Sequence, residues 1–479
     1  MLSTVRSVRT IRTILLALAC LGALGAAPAA GAPPPIRHVF VIVLENKGFS
    51  ETFGANSQAP YLSRTLTAQG QLIANYYGVA HLSLPNYIAM VSGQAPNPIT
   101  QSDCQFYMDL VPGTIGADGQ AFGQGCVYPS PVKTIADQLR AQGLTWRGYL
   151  QDMGNSATES RTCRHPALNS QDKTQSAKVG DQYAARHNPF VYFHSIIDDT
   201  ANCNANVVPL DRLPGDLAST QSTPSYSFIT PNLCEDGHDS PCVDGRPGGL
   251  VSSDAFLRAW VPRILASPAF RRDGLLVVTF DEAETGDASA CCYEQPGPNT
   301  PNPGGTTAGP GGGKIGAVAL SPWVRPGSIN AHPYNHYGFL RSVEDIFGLS
   351  HLGYAGRAGL DAFGQDVYNG DGPAIAGPAC VESALPRPRR GVYRRGSLIA
   401  SAKIVRPHGR ARLQLVFRHR AALAARQTQW VRGRRRTVRI RLRSVRSCRT
   451  YRRTLSRGHG SVKVTARSGR GRETRTVHF

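Results

Sequence analysis

The sequence predicts an α/β core followed by a small, basic, all-β module. Short, strongly apolar, β-branched runs recur along the first part of the chain: HVFVIVL, SFIT, LLVVTF and GAVALS. Such runs sit in parallel or mixed sheets covered on both faces. Between them lie SPVKTIADQLRAQG, VSSDAFLRAWVPRILAS and HYGFLRSVEDIFGL, with apolar residues at three- and four-residue spacing and Gly or Ser at their ends. These read as helices, and strands alternating with helices make an α/β fold. Beyond GPACVESALPRPRRG the pattern changes to GSLIASAKIV, ARLQLVF, RTVRIRLRSV and GSVKVTA. There apolar residues alternate with polar or basic ones, as in an antiparallel sandwich.

A chain of 479 residues is long enough for more than one domain. Arg6, Arg9 and Arg12 precede the apolar run from Ile14 to Ala26, and small residues follow, so residues 1–32 read as a secretory signal peptide. Cys20 has Ala17 rather than Leu at minus three, which argues against a lipoprotein signal. After residue 32 no apolar run approaches the roughly 18 residues needed to span a bilayer. The expected mature chain is secreted or associated with the cell envelope and has no transmembrane segment. Its expected layout is a core over 33–375, a linker over 376–392 and the basic β domain over 393–479.

Removing Cys20 with the leader leaves ten of eleven cysteines, an even number that suits an oxidising compartment. Short loops would pair Cys104 with Cys126, Cys163 with Cys203, and Cys234 with Cys242. The adjacent Cys291 and Cys292 either bridge each other or pair elsewhere, and Cys380 with Cys448 would tie the linker to the β module. No C-x-x-C pair exists to hold a zinc cluster. Charge is divided as sharply as pattern. From Arg387 onward 29 Lys and Arg face one acid, Glu473, whereas residues 33–386 carry 21 basic and 31 acidic side chains. Dense arginine without interleaved aromatics gives no base-stacking platform. An anionic cell-envelope polymer is therefore the expected partner of that end rather than a specific nucleic acid, with a merely solvated basic face as the plain alternative.

The candidate chemistry lies where strands end. HVFVIVL runs into Glu45 and Asn46, LLVVTF into Asp281 and Glu282, and SFITPN leads to Glu235, Asp236, His238 and Asp239. In open α/β sheets ligands bind outside the carboxyl ends of strands. Singly, each pair would serve as a turn or helix cap. Gathered together, the carboxylates could not all stay ionised without a cation. A divalent metal resolves that conflict, and calcium, magnesium, manganese or zinc would fit. In HLSLPNYIAMVSG, Ser83 precedes an apolar-periodic segment with Pro85 in its first turn. Ser83 is either an N-cap or a hydroxyl placed where free N–H groups attract an anion. A metal touching that hydroxyl would make it a nucleophile. The glycine-rich QPGPNTPNPGGTTAGPGGGK is a long loop and not a phosphate loop, because Ala308 stands at the first required Gly and Ile315 follows Lys314.

In order, VFVIVLENKGFSETFG, HLSLPNYIAMVSG, TPNLCEDGHD, VVTFDE and YNHYGFLRSVEDIFGL resemble the bacterial phosphoesterase family that contains secreted acid phosphatases and non-haemolytic-type phospholipases C, over approximately residues 36 to 350. The resemblance implies an alkaline-phosphatase-like core. It implies a metal held by Glu45, Asn46, Asp281 and Glu282, with Ser83 touching the metal as nucleophile. His81, Asn86 and Asp239 would then lie at the substrate, while His238 and His336 would stabilise charge or protonate the leaving oxygen. The form SLPNY, with His81 before it, is similar to the acid-phosphatase branch. The stretch AETGDASACCYEQPG departs from the glycine and Asp-His stretch of the lipases, and Glu235 stands where acid-phosphatase relatives carry Asn, so Glu235 receives no role. The expected activity is hydrolysis of phosphate monoesters through a phosphoserine. A phospholipase C acting on diesters and a non-enzymatic polyanion-binding protein are the alternatives.

Overall fold

The computed structural model describes residues 32–292, 296–298, 300–370 and 372, and seven strands between residues 399 and 478. The expected leader and linker lie outside the described residues, as do Cys380 and Cys448. HVFVIVL becomes β1 (His38–Leu44), buried along its whole length inside an eight-stranded sheet. The other strands are β2 (Gln71–Ile73), β3 (Trp146–Leu150), β4 (Val207–Pro209), β5 (Tyr226–Thr230), β6 (Gly274–Phe280), β7 (Ala317–Leu320) and β8 (Ser328–Asn330). Their order is β8-β2-β7-β6-β1-β5-β3-β4. From β6 to β4 all neighbours are parallel, whereas β7 runs antiparallel to both β6 and β2. This is the mixed, doubly covered sheet that the apolar runs require. The sequence reading misses β2, β4 and β8 because three residues show no period, and β3 because Arg147 and Gly148 interrupt it.

Register brings the strand ends level. Leu44 lies opposite Phe280, so Glu45 and Asp281 leave the sheet side by side, and the Asp281 N–H donates to the Leu44 carbonyl at 2.9 Å. On the other flank Ile42 lies opposite Ile229. The chain beyond β5 returns so that the Asp236 carbonyl accepts from the Glu45 N–H at 2.9 Å. One backbone hydrogen bond on each side thus fixes Glu45 between two acidic residues.

The expected helices form as α2 (Ile135–Ala141), α3 (Gly249–Ala266) and α4 (His336–Phe347), while SLPNYIAMVS forms α1 (Ser83–Ser92) with every residue buried. Asn335 caps α4 by accepting from the Gly338 N–H at 2.8 Å. Cys104–Cys126, Cys163–Cys203, Cys234–Cys242 and Cys291–Cys292 are joined as disulfides.

From residue 399 the described segments are strands: β9 (Ile399–Val405), β10 (Arg412–Phe417), β11 (Ala421–Val431), β12 (Arg434–Val445), β13 (Thr450–Thr454), β14 (Gly460–Ser468) and β15 (Gly471–His478). They pair antiparallel as β9-β10-β13 and β12-β11-β14-β15. Val462 and Val464 are buried and Lys463 between them is exposed, the alternation that a one-sided sheet shows. No helix among the described residues is long and apolar enough to cross a membrane.

Candidate active site

Ser83 is the first residue of α1, and Leu82 takes the N-cap position. The capping role is therefore not the serine's. Its hydroxyl donates to Oε2 of Glu45 at 2.8 Å and lies against Asp281. One turn further on, the Tyr87 hydroxyl donates to Oε1 of the same carboxylate at 2.6 Å. Residues four apart on a helix share a face, so α1 grips both oxygens of Glu45. The N–H of Leu84 donates to Oδ1 of Asp103 at 2.9 Å. The helix start thus meets a carboxylate of its own chain where an anion was expected.

Asn46 adopts a left-handed conformation (φ 56°), which Asn tolerates, and this aims its N–H at Oδ1 of Asp281, 3.1 Å away. Gly78 lets the loop before Ser83 close on the same strand end, since a Cβ there would lie 2.7 Å from the Asp281 carbonyl oxygen. Glu282 hydrogen-bonds Nδ1 of His81, whose Nε2 lies 3.0 Å from the Asp287 carbonyl. His336 sits beneath Asp281: Nε2 donates to the Asp281 carbonyl at 2.6 Å, and Nδ1 accepts from the Tyr76 hydroxyl at 3.2 Å. Both ring nitrogens of His336 are committed, so it buttresses the strand end that carries Asp281. His238 lies nearer the surface. Its Nδ1 donates to Asp239 at 2.8 Å and its Nε2 accepts from Arg186 at 3.2 Å.

Asn86 is spent inside its own loop. Its Oδ1 accepts from the N–H groups of Val79 and Ala80 at 2.9 and 3.1 Å, and its Nδ2 donates to the carbonyls of Ala80 and Leu82 at 2.7 and 2.9 Å. Asn86→Leu would leave two buried donors unpaired, at about 1–3 kcal/mol each. Urea unfolding should therefore show a loss of about 2–6 kcal/mol, and an unchanged midpoint would contradict this role.

Tyr87, Asp103, Arg186 and His187 also belong to the site, and the sequence reading passes over them. The i, i+4 spacing of Ser83 and Tyr87 could have flagged the tyrosine. Arg186 and His187 end a single turn, Ala185–His187, in a stretch with no period to read. His187 is 1% exposed, stacks on Tyr87 with ring centroids 5.3 Å apart, and places Nε2 3.4 Å from Glu45 Oε1 and Nδ1 3.2 Å from Asp236 Oδ2.

Burial dominates the electrostatics. It pushes Glu45 well above the ordinary carboxylate range, and Asp281 and Asp236 add to that push. Asp236 is raised by burial, and Glu282 by burial and by the charges of Asp281 and Asp103. Burial pushes Asp281 up to about 6. The same burial drives His187 well below the usual histidine range and His336 down to about 4. Oδ2 of Asp281, Oδ2 of Asp236 and both nitrogens of His187 are buried without a hydrogen-bond partner. One donor atom each from Glu45, His187 and Asp236 lies within 4.8 Å of the others. Buried carboxylates with unfilled lone pairs beside a hydroxyl form a donor set that fits a divalent cation.

The chain is 27% identical over 288 residues to the phosphate-repressible acid phosphatase of Penicillium chrysogenum, covering 60% of this chain and 54% of that protein. It is 26% identical over 329 residues to the phosphatidylinositol-3-phosphatase of Mycobacterium tuberculosis, covering 69% of this chain and 83% of the relative. The chain thus spans about half the length of the fungal relative. A solved protein of the alkaline phosphatase superfamily from Vibrio parahaemolyticus is similar at a TM-score of 0.38 and 13% identity, covering 67% of this chain and 68% of that one. The model of the Phosphoesterase family matches residues 55–350, well over half of the sequence, and the chain belongs to that family.

Proposed function

We propose that this protein hydrolyses phosphate monoesters with Ser83 as nucleophile. The observation that carries the proposal is the buried Ser83 hydroxyl at the start of α1, held 2.8 Å from a Glu45 carboxylate beside Asp281. Glu45, Asn46, Ser83 and Asp281 would hold a divalent cation, with Glu282 and His81 as the neighbouring pair. Such a cation supplies Lewis-acid stabilisation of phosphoryl charge and acidifies a hydroxyl in contact with it.

In the first step Ser83 Oγ attacks phosphorus, the new P–O bond forms as the ester P–O bond breaks, and the leaving oxygen departs as an alkoxide that takes its proton from solvent. Glu45 Oε2, already the acceptor of the Ser83 hydroxyl's hydrogen bond, is placed to take that proton. Tyr87 keeps the carboxylate oriented. In the second step water attacks the phosphoserine, and the proton returns to Ser83 as phosphate leaves. With Arg186 donating to its Nε2, His238 carries its proton on Nδ1. With both nitrogens engaged, His238 would act by positioning Arg186 and Asp239 rather than by giving a proton to the first leaving group. Residues 33–375 would house this chemistry, and four disulfides support an exported chain.

Two measurements test the proposal together. Treatment with a chelator should remove hydrolysis of p-nitrophenyl phosphate, and adding back a divalent metal should restore it. The monoester should be cleaved faster than p-nitrophenyl phosphorylcholine. Full activity after verified metal removal would refute the metal requirement, and preference for the diester would favour the phospholipase alternative.

A further inference from the structure

The four-stranded sheet β12-β11-β14-β15 has one covered face and one free face. Val462 and Val464 are 0% exposed. Lys463 between them is exposed, as are Thr474, Thr476 and His478 on the edge strand β15. Residues directly opposite in an antiparallel pair share a face, as do alternate residues along a strand, so pairing assigns the free face row by row. Arg439 lies opposite Arg426, Arg426 opposite Lys463, and Lys463 opposite Thr476. The next row is Arg441, Ala424, Thr465 and Thr474, and the row after it contains Ala422, Arg467 and Arg472. These three rows hold six Lys or Arg and no acid. Glu473, the one acid beyond Arg387, falls opposite Ala466 on the covered face.

Like charges directly opposite one another destabilise a sheet, and this face has three such pairs: Arg439 with Arg426, Arg426 with Lys463, and Arg467 with Arg472. A surface that serves solubility alone intersperses both signs. Here an anionic partner would offset the repulsion. The remaining five positions of the three rows are Ala or Thr, so nothing bulkier than threonine stands between the charges and a plane laid on them. Neighbouring strands lie about 4.8 Å apart and alternate residues about 6.8 Å apart, which makes the patch about 14 Å on each side. A linear polyanion would follow one row or one strand. A lipid surface meets all three rows together, so the spread of cations over four strands favours it over a polymer.

We propose that this face docks the protein on an anionic lipid surface, such as a leaflet rich in phosphatidylglycerol. Each Lys or Arg close to such a leaflet strengthens binding about fivefold, and salt screens the attraction. The proposal uses no residue of the Ser83 site and stands or falls independently of the hydrolysis proposed there.

The test is cosedimentation of the full-length chain with vesicles of equal parts phosphatidylglycerol and phosphatidylcholine. Wild type should bind at about 0.05 M salt, release by about 0.5 M, and ignore vesicles of phosphatidylcholine alone. Arg426→Gln, Arg439→Gln and Lys463→Gln combined should weaken binding about a hundredfold. Arg434→Gln, Arg436→Gln and Arg475→Gln combined remove the same charge from positions opposite Val431, Gln429 and Val464, on the other face, and should cost less than about threefold. Circular dichroism checks that each variant is folded. If the first triple variant does not fold, Arg426→Gln alone should still weaken binding about fivefold. Equal losses in the two triple variants would overturn the proposal, because net charge rather than this face would then bind. Equal binding to neutral vesicles, or no binding of wild type to anionic ones, would overturn it too. So would retention on DNA or polyphosphate that needs Arg426, Arg439 and Lys463 without any binding to vesicles, which would assign the face to a linear polymer.

Discussion

Ser83→Ala is expected to lower kcat for p-nitrophenyl phosphate by at least about a thousandfold while leaving the fold intact. Loss on that scale follows from losing the nucleophile itself, since the remaining groups can only polarise and position the ester. The fold should survive because α1 is anchored by its apolar side chains and by Asp103 and Tyr87, none of which depends on Oγ. Removing the hydroxyl leaves Oε2 of Glu45 without its donor, at about 1–3 kcal/mol. A cation in the site would offset part of that cost. Ser83→Thr keeps a hydroxyl and should recover part of the activity. Acid quenching of the wild type during turnover should trap phosphate on the peptide that contains Ser83. Undiminished phosphate release by a folded Ser83→Ala protein would rule out the mechanism.

The parts of the site that the sequence discloses are those whose chemistry interrupts a pattern. Glu45 and Asp281 end wholly apolar strands, and the parallel register of β1 with β6 turns two distant sequence signals into one place. Ser83 stands at a helix start marked by Pro85, and there the helix is right but the cap is wrong. Leu82 takes the cap, which frees the hydroxyl for Glu45. His187 and Arg186 interrupt nothing. They occupy a short turn whose placement depends on the tertiary course of residues 151–190, which no local propensity encodes. Asp103, in a left-handed turn just before Cys104, becomes part of the site only because α1 points its first N–H groups that way. Asn86 is the reverse case. Family likeness points it at phosphate, but with four backbone bonds its amide shapes the loop that carries His81. His336 likewise matches a family motif yet reaches the site through the Asp281 backbone.

The buried carboxylates make the stability of the chelator-stripped protein fall as pH rises between about 6.5 and 9. An acid whose pKa is raised in the fold binds its proton more tightly folded than unfolded. Its contribution is therefore complete below the unfolded value and is lost as pH climbs through the folded one. Glu45, Asp236 and Glu282 lie well above the ordinary range and titrate late on that climb, whereas Asp281, at about 6, contributes mainly at its start. Each carboxyl still protonated in the fold costs about 1.4 kcal/mol per pH step. Below about 6.5 the two buried histidines act in the opposite sense. His187 and His336 are lowered by burial, so stability is lost there as acid protonates them in the unfolded chain. Above about 6.5 the carboxylates act in the same sense as His194, whose partial burial is outweighed by hydrogen bonds to Asp109 and Asp198 that hold it above the ordinary histidine range, and the comparison with and without metal separates the two. Glu344, raised to about 9 by burial in α4, adds a background outside the site that Glu344→Gln removes. Bound metal should flatten the slope, because a cation holds the same carboxylates ionised in the fold. The stabilisation conferred by metal should consequently grow with pH. Urea midpoints of the Glu344→Gln protein between pH 6.5 and 9, with chelator and with Mn²⁺, measure this directly. Parallel curves would mean that the cation does not sit among Glu45, Asp236, Asp281 and Glu282.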